Sequence, residues 1–427
     1  MGAIAVIAVL LILLIAGMPI AFAMAVAGAL GIFAMLGFEA MMTQVASATY
    51  RSVADSTLAA IPLFVLMAEL MGQGGMARDV FEAAKRMTGR LPGGVGIATV
   101  LASAGFAAVS GSSSASAGTL AAISVPEFKR LGYALPAATG IVAVAGTLAV
   151  LIPPSIAFII YGILTETSIG KLLIAGIIPG ILTAFCYSVG ILIWAKVDPK
   201  TLPAGEAWTW REKGSALSKI GGFLLIIGIT FTALYGGFAT ATEVAAIGAV
   251  STLIYLTLVG RLNAEKIRLA SYNAIRISAM VLIIVVGAMI FGYYLTISRA
   301  PQHLIEVIGN SGMSPATILA IILVFYFVLG CLMDELAILL ITLPMVFPLV
   351  VSLGYDPIWF GVIIVKMVQF GLVCPPVGLN VFVVSAATGI PAGKIYRGTG
   401  YMLIFEAITL ILLLSFPALS LWLPSMM

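Results

Sequence analysis

One spacing constrains this chain more than any other feature. Pro126, Leu131, Gly132, Tyr133, Pro153 and Pro154 recur as Pro348, Leu353, Gly354, Tyr355, Pro375 and Pro376, each 222 residues later and without a gap. At the same offset Ser112 stands opposite Asp334, and Ala115 opposite Ala337. The serine-rich stretch Gly111-Ser112-Ser113-Ser114-Ala115-Ser116 and the acidic pair Asp334-Glu335 therefore hold equivalent places. Such a chain reads as an internal duplication carrying two polar interruptions per copy.

The surroundings of those interruptions are apolar. The 427 residues are 62% hydrophobic and 9% charged, too little charge for a soluble domain, so the chain is expected to be a polytopic protein of the lipid bilayer. Backbone groups in lipid must bond within the structure, and the apolar runs are far too long for barrel strands, so the fold class is all-α. His303 and the scattered Cys186, Cys331 and Cys374 offer neither a metal cluster nor a disulfide framework. No nucleophile–base pair stands out, so enzymatic chemistry is not expected, nor is an organic cofactor. The net charge of +4 reports topology rather than an acidic partner such as nucleic acid.

In chain order, residues 1–195 form the first copy. Residues 3–36 have no basic n-region and no convincing cleavage site, and are expected to make one long span kinked at Gly17 and Pro19 in preference to two tight helices. An interfacial helix over 38–52, a short span at 56–72 and an amphipathic surface helix over 73–92 follow. Residues 93–128 are apolar but interrupted near 110–116. Each half is too short to cross alone, which predicts a re-entrant hairpin with the serines at its tip. Residues 135–163 make a span broken at Pro153-Pro154-Ser155, and 172–195 another span. The polar stretch 196–219 is the connector, a surface helix led by Trp208 and Trp210, which favour the headgroup level. Residues 220–427 form the second copy. They hold spans at 220–235, 240–260 and 273–298, a hairpin over 315–350 with its tip near Asp334, a helix over 357–385 broken at Pro375-Pro376, and a last span at 400–423.

Basic residues set the orientation. With 73–92 in the cytoplasm, the clusters at 78–90, 129–130, 196–219, 261–268 and 394–397 lie there too, and only Arg51, Lys171 and Arg299 remain opposite. The N-terminus is then cytoplasmic. The two hairpins enter from opposite faces, which makes the repeat inverted.

Inverted repeats with broken helices are a transporter's architecture. Half-helices meeting within the bilayer leave carbonyls and amides unpaired; carbonyls and hydroxyls replace a sodium ion's water, and helix N-termini favour an anion. Two sodium pockets are expected. One joins Ser112, Ser113 and Ser114 to Pro153 and Ser155; the other joins Asp334 to the break holding Pro376 and Gly378. An acid in a membrane hairpin is costly, so Asp334 is the strongest single candidate. Packing by small residues is the plain alternative for the serines, and a simple kink for the proline pairs. Ser116 and Asn380 are assigned to the substrate, although Asn380 also suits an ion through its side-chain carbonyl. Arg299 suits a bidentate grip on a substrate carboxylate, with snorkelling at a helix end as the alternative. Glu69 and Glu243 are expected to be interhelical partners, with Glu243 placed to cap a helix start. Glu335 reads as a neighbour of the second pocket. Lys366 needs a charge partner, for which Asp334 and Glu335 are candidates.

These residues resemble the large membrane subunit of tripartite ATP-independent periplasmic (TRAP) transporters over essentially the whole length. The likeness rests on Gly111-Ser-Ser-Ser-Ala115, Pro126…Leu131-Gly132-Tyr133, Pro153-Pro154-Ser155…Ile160-Tyr161-Gly162 and Ala239-Thr240-Ala241-Thr242-Glu243-Val244-Ala245-Ala246. It rests equally on Met333-Asp334 with Pro344 and Pro348, Gly354-Tyr355-Asp356-Pro357 and Pro375-Pro376-Val377-Gly378. The resemblance implies sodium-driven uptake in a bacterial inner membrane by an elevator-type movement of a core holding both hairpins. It implies a periplasmic substrate-binding protein and a small membrane subunit of about four helices as partners. It implies an organic anion as cargo: a dicarboxylate or a sugar acid, with sialic acid preferred because of Arg299. Where the family usually has Thr-Pro-Pro, this chain has Cys374-Pro375-Pro376, which leaves the backbone carbonyl of Cys374 as the ligand there. A stand-alone sodium/organic anion symporter of related hairpin architecture is the runner-up.

Overall fold

The computed structural model describes residues 2–309 and 311–426. The chain is helical throughout. Among the described residues, six helices are long and apolar enough to cross a membrane: Ser56–Gln73, Ile169–Val197, Ala241–Leu258, Ala264–Ile297, Glu335–Ser352 and Ala392–Ser415. Two bent pairs bring the number to eight: Leu135–Leu151 with Ile156–Thr165, at 42°, and Trp210–Lys219 with Gly221–Tyr235, at 50°.

The N-terminal run differs from the expected single span. It makes two helices, Ala3–Ile15 and Ile20–Leu36. Gly17 lies at φ +83°, in the left-handed region where a helix cannot continue, and Pro19 brings no N–H to the next turn. In the opposite sense, the span expected from 273 begins earlier: Asn263 caps the 34-residue helix Ala264–Ile297 by accepting from the Lys266 amide at 2.9 Å. At 1.5 Å per residue that helix is about 51 Å long, well beyond a hydrocarbon core of about 30 Å.

Both hairpins are present. The first runs Gly94–Ser110 and Ser113–Arg130, linked by Gly111 at φ +57° and an extended Ser112. The Val95 amide, at the start of the first leg, donates to the Tyr133 hydroxyl just beyond the second at 3.3 Å, so the legs are antiparallel. The second runs Pro315–Gly330 and Glu335–Ser352. The hydroxyls of Tyr326 and Thr342, symmetrically placed about its tip, lie 2.6 Å apart. Each broken helix parts where the prolines stand: Leu148–Leu151 before and Ile156–Thr165 after the first break, Pro357–Gly371 before and Leu379–Thr388 after the second.

The helices pack in two groups. Ile20–Leu36, Ser56–Gln73, Ala241–Leu258 and Ala264–Ile297 pack on one another, while the hairpins and broken helices pack with Ile177–Val197 and Ala392–Ser415. Lipid gives helices no hydrophobic reason to associate, so close backbone approach does that work. A Cβ on Gly287 would lie 2.3 Å from the Ala21 carbonyl, and one on Gly28 would lie 2.8 Å from the Phe291 backbone. The connector lies on the amphipathic helix Met76–Thr88: Arg86 stacks over Trp208 at 5.0 Å, and Arg130 pairs with Glu206 at 2.8 Å. Its helix starts only at Trp210, one turn closed by a capping box between Thr209 and Glu212.

Candidate functional site

In each copy the hairpin tip lies against the break of its own broken helix. In the first, a Cβ on Gly111 would lie 3.0 Å from the Pro154 carbonyl. Ser155 is fully buried, and its hydroxyl caps the outgoing half-helix by accepting from the Phe158 amide at 3.3 Å. In the second, the Gly378 amide donates to the Cys331 carbonyl at 3.0 Å, and the Asn380 amide to the Leu372 carbonyl at 3.1 Å. Asp334 is the N-cap of Glu335–Ser352, its carboxylate accepting from the Leu336 amide at 3.1 Å. Cys374 is buried in the break, whereas Pro375, Pro376 and Val377 are exposed. The Pro153–Pro154 and Pro375–Pro376 peptides are both cis.

The two copies also meet each other. Asn380, from the second break, donates through Nδ2 to the Ser113 hydroxyl of the first tip at 2.7 Å and to the Ala143 carbonyl at 3.3 Å. The Glu335 carboxylate of the second tip faces the Ser113 backbone. Gln369 donates to that same carboxylate through Nε2. Ser112 and Ser114 hydroxyls lie 3.3 Å apart. Ser116 is fully buried, and its hydroxyl has no hydrogen-bond partner. The structure therefore gathers Ser112, Ser113, Ser114, Ser116, Pro153, Ser155, Asp334, Cys374, Pro376, Gly378 and Asn380 into the tips and breaks. It leaves Arg299 apart: exposed, at φ +53° before the helix Ala300–Gly309, with no hydrogen bond or ion pair to either tip among the described residues.

A cavity of about 550 Å³ separates the first tip from the other helix group. Ser112, Ala115 and Thr119 line one side; Glu69, Gln73, Arg78, Ile277 and Met280 line the other. Glu69 accepts from Asn273 Nδ2 at 3.0 Å, the interhelical partnership expected of it. A more open cleft of about 810 Å³ lies at the far end of Ser56–Gln73, lined by Asp55, Glu166, Thr240 and Glu243 among others. There Glu243 completes a capping box with Thr240 at the start of Ala241–Leu258, as its position suggested.

Lys366 finds neither Asp334 nor Glu335. Its ammonium pairs at 2.6 Å with Glu406 in the last long helix, both side chains fully buried. It also donates to Thr183 at 3.3 Å and lies 5.6 Å from the Tyr187 ring. Tyr187 donates to Glu406 and lies 3.2 Å from the Thr147 hydroxyl. Sequence reasoning missed Glu406 and Gln369; the available signal was a polar side chain inside an apolar helical run.

Hairpin tips laid on broken helices, over the full set of motifs, can be compared with known proteins. Residues 7–419 match the family described as the tripartite ATP-independent periplasmic transporter, DctM component. The chain belongs to that family. It is a multi-pass membrane protein and a large permease component. It is 39% identical over 371 residues to the C4-dicarboxylate TRAP transporter large permease protein DctM of Pseudomonas aeruginosa, covering 86% of each chain. It is 31% identical over 427 residues to the sialic acid TRAP transporter large permease protein SiaM of Vibrio cholerae, covering 97% of this chain and 96% of that one. A crystal structure of the Alcanivorax borkumensis YdaH transporter matches with a TM-score of 0.63 over 91% of this chain and 90% of that chain. At 14% identity that is a likeness of fold alone.

Proposed function

We propose that this DctM-family permease carries an organic acid into the cell on a sodium gradient, by an elevator movement of the body that holds the hairpins and broken helices. The observation that carries the proposal is the contact between each tip and its own break, with Asn380 of the second copy bonded to Ser113 of the first. One sodium ion is assigned to Ser112, Ser113, Ser114, Pro153 and Ser155. A second is assigned to Asp334 with the backbone of Cys374, Pro376 and Gly378. The carboxylate of the cargo is assigned to the cavity beside Ser112, near Ser116, with Arg78 as its positively charged wall; that moves the anion-binding arginine from Arg299. Sodium offsets the anion's charge and makes its burial tolerable. Excess positive charge moving inward gains about 2.3 kcal/mol per charge per 100 mV, so uptake is electrogenic.

The family and the one-sided placement of the basic residues support an inner-membrane location, a periplasmic substrate-binding protein that delivers the acid, and a small four-helix membrane partner. The higher identity to a C4-dicarboxylate permease favours a dicarboxylate over sialic acid or another sugar acid. The test is uptake into proteoliposomes holding the chain with candidate partner proteins, across a panel of dicarboxylates and sugar acids. Uptake of one acid that needs a sodium gradient is expected; equal uptake without sodium would contradict the proposal.

A further inference from the structure

We propose that Tyr396 is a positioning residue of the second sodium pocket: its hydroxyl fixes the Val377–Gly378 peptide, and with it the flanking carbonyls of Pro376 and Gly378, before an ion arrives. This rests on the assignment of a sodium ion to that pocket and adds the residue that shapes it.

One peptide unit carries the argument. The Val377 carbonyl and the Gly378 amide belong to the same planar group. The Tyr396 hydroxyl donates to that carbonyl, and the amide donates to the Cys331 carbonyl at 3.0 Å. The plane is therefore held at both edges, by the last long helix on one side and by the second hairpin tip on the other. A Cβ on Gly378 would lie 3.3 Å from the Tyr396 hydroxyl and 2.7 Å from the Cys374 carbonyl, so the end of the ring sits against the loop itself. The carbonyls of Pro376 and Gly378 belong to the two neighbouring planes, each joined to the held one through a single residue. Pro375, Pro376 and Val377 are exposed and outside any helix. Left free, such a loop turns its carbonyls to water, and an ion must then offset the cost of ordering them.

The first break needs no such donor. At the 222-residue offset Ser155 stands opposite Val377, and Ile174 opposite Tyr396. The Ser155 carbonyl accepts from the Ile159 amide at 3.1 Å, as part of the outgoing half-helix. In the second copy that half-helix starts one residue later in register, at Leu379, with Gly378 as its N-cap. The Val377 carbonyl is left outside it, and a hydroxyl from another helix takes the place of the helical amide. Tyr396 is itself firmly placed. Its helix, Ala392–Ser415, lies so close to the first copy that a Cβ on Gly398 would meet the Pro136 carbonyl at 1.8 Å. The same helix grips the second broken helix on both sides of its break, at Lys366 through Glu406 and at Val377 through Tyr396.

Sodium binding to the detergent-purified full chain, measured with radioactive sodium, tests this. Tyr396→Phe keeps the ring and removes the hydroxyl. It should weaken one bound ion about 3- to 10-fold and speed amide exchange of Gly378 in choline, with no sodium present. Tyr133→Phe removes a hydroxyl that accepts from the Val95 amide at the base of the first hairpin, and should weaken neither ion. Unchanged sodium affinities in Tyr396→Phe would overturn the proposal. So would an equal weakening in Tyr133→Phe, which would make the loss one of general stability. An unaltered chain that binds no sodium would instead defeat the pocket on which the proposal rests.

Discussion

The two tip-and-break pairs share one backbone plan and differ in chemistry and exposure. The first is neutral: serine hydroxyls at the tip, and Pro153, Pro154 and Ser155 sealed in the interior. The second is charged: Asp334 and Glu335 at the tip, and Pro375, Pro376 and Val377 at the surface. Duplication therefore preserved where the chain breaks and not what fills the break. The first pair has only dipoles to offer an ion, while the second also has acidic side chains. The second pocket should bind sodium more tightly, and the first should respond more to what occupies the cavity beside Ser112.

The largest effect is expected where the copies are locked together. Lys366 lies on the second broken helix, while Tyr187, which donates to Glu406, and Thr147, whose hydroxyl meets that of Tyr187, belong to the first copy. Lys366→Met alone leaves a buried carboxylate unpaired and should cost about 3–5 kcal/mol of stability, read as a fall in the thermal midpoint of the purified chain. Lys366→Met with Glu406→Leu should restore most of the loss, and a double variant as unstable as the single would refute the pairing. Next come the pockets. Asp334→Asn removes a charged ligand and should lower sodium affinity about 10- to 100-fold, against about 2- to 10-fold for Ser113→Ala; equal losses would erase the difference between the copies. Exposure gives a third contrast. In a background without native cysteines, Val377→Cys should react with a polar thiol reagent readily and Ser155→Cys should not, and equal labelling would show the first break to be as open as the second.

The smallest effect lies outside the membrane. The guanidinium of Arg130 holds Glu206 below the usual carboxylate value of 4.5. A lowered acid lends its contribution fully above that value and loses it as pH falls through its folded value. Cross-linking of the connector to the first hairpin should thus be constant from neutral pH down to about 4.5 and weaken only below it. Glu206→Gln should weaken it at every pH, and a variant that cross-links as the parent does would show the ion pair to be incidental.

What the sequence made legible was local. Proline pairs, Gly111 and an aspartate at a helix start dictate breaks through their own backbones, so both hairpins and both broken helices could be placed from the order of residues. The misread span at 3–36 is of the same kind: Gly17 permits either a kink or a left-handed turn, and only the packing of the following helix decides. Partnerships across the fold were not legible. Asn380 and Ser113 are 267 positions apart, and nothing local singles out Glu406 over Asp334 as the partner of Lys366. Gln369 was overlooked because one amide in an apolar helix looks like a tolerated exception until its carboxylate neighbour is known. Arg78 reads as one more cytoplasmic basic residue until the cavity beside Ser112 is seen.

The proposal that backbone laid open at four places holds sodium ions is the centre of this account, and amide hydrogen exchange reads those places directly. Exchange of the purified full chain should slow on adding sodium, relative to an equal concentration of choline, at 110–116, 153–156, 331–337 and 374–380, and far less elsewhere. Identical exchange in the two salts at all four segments would contradict it.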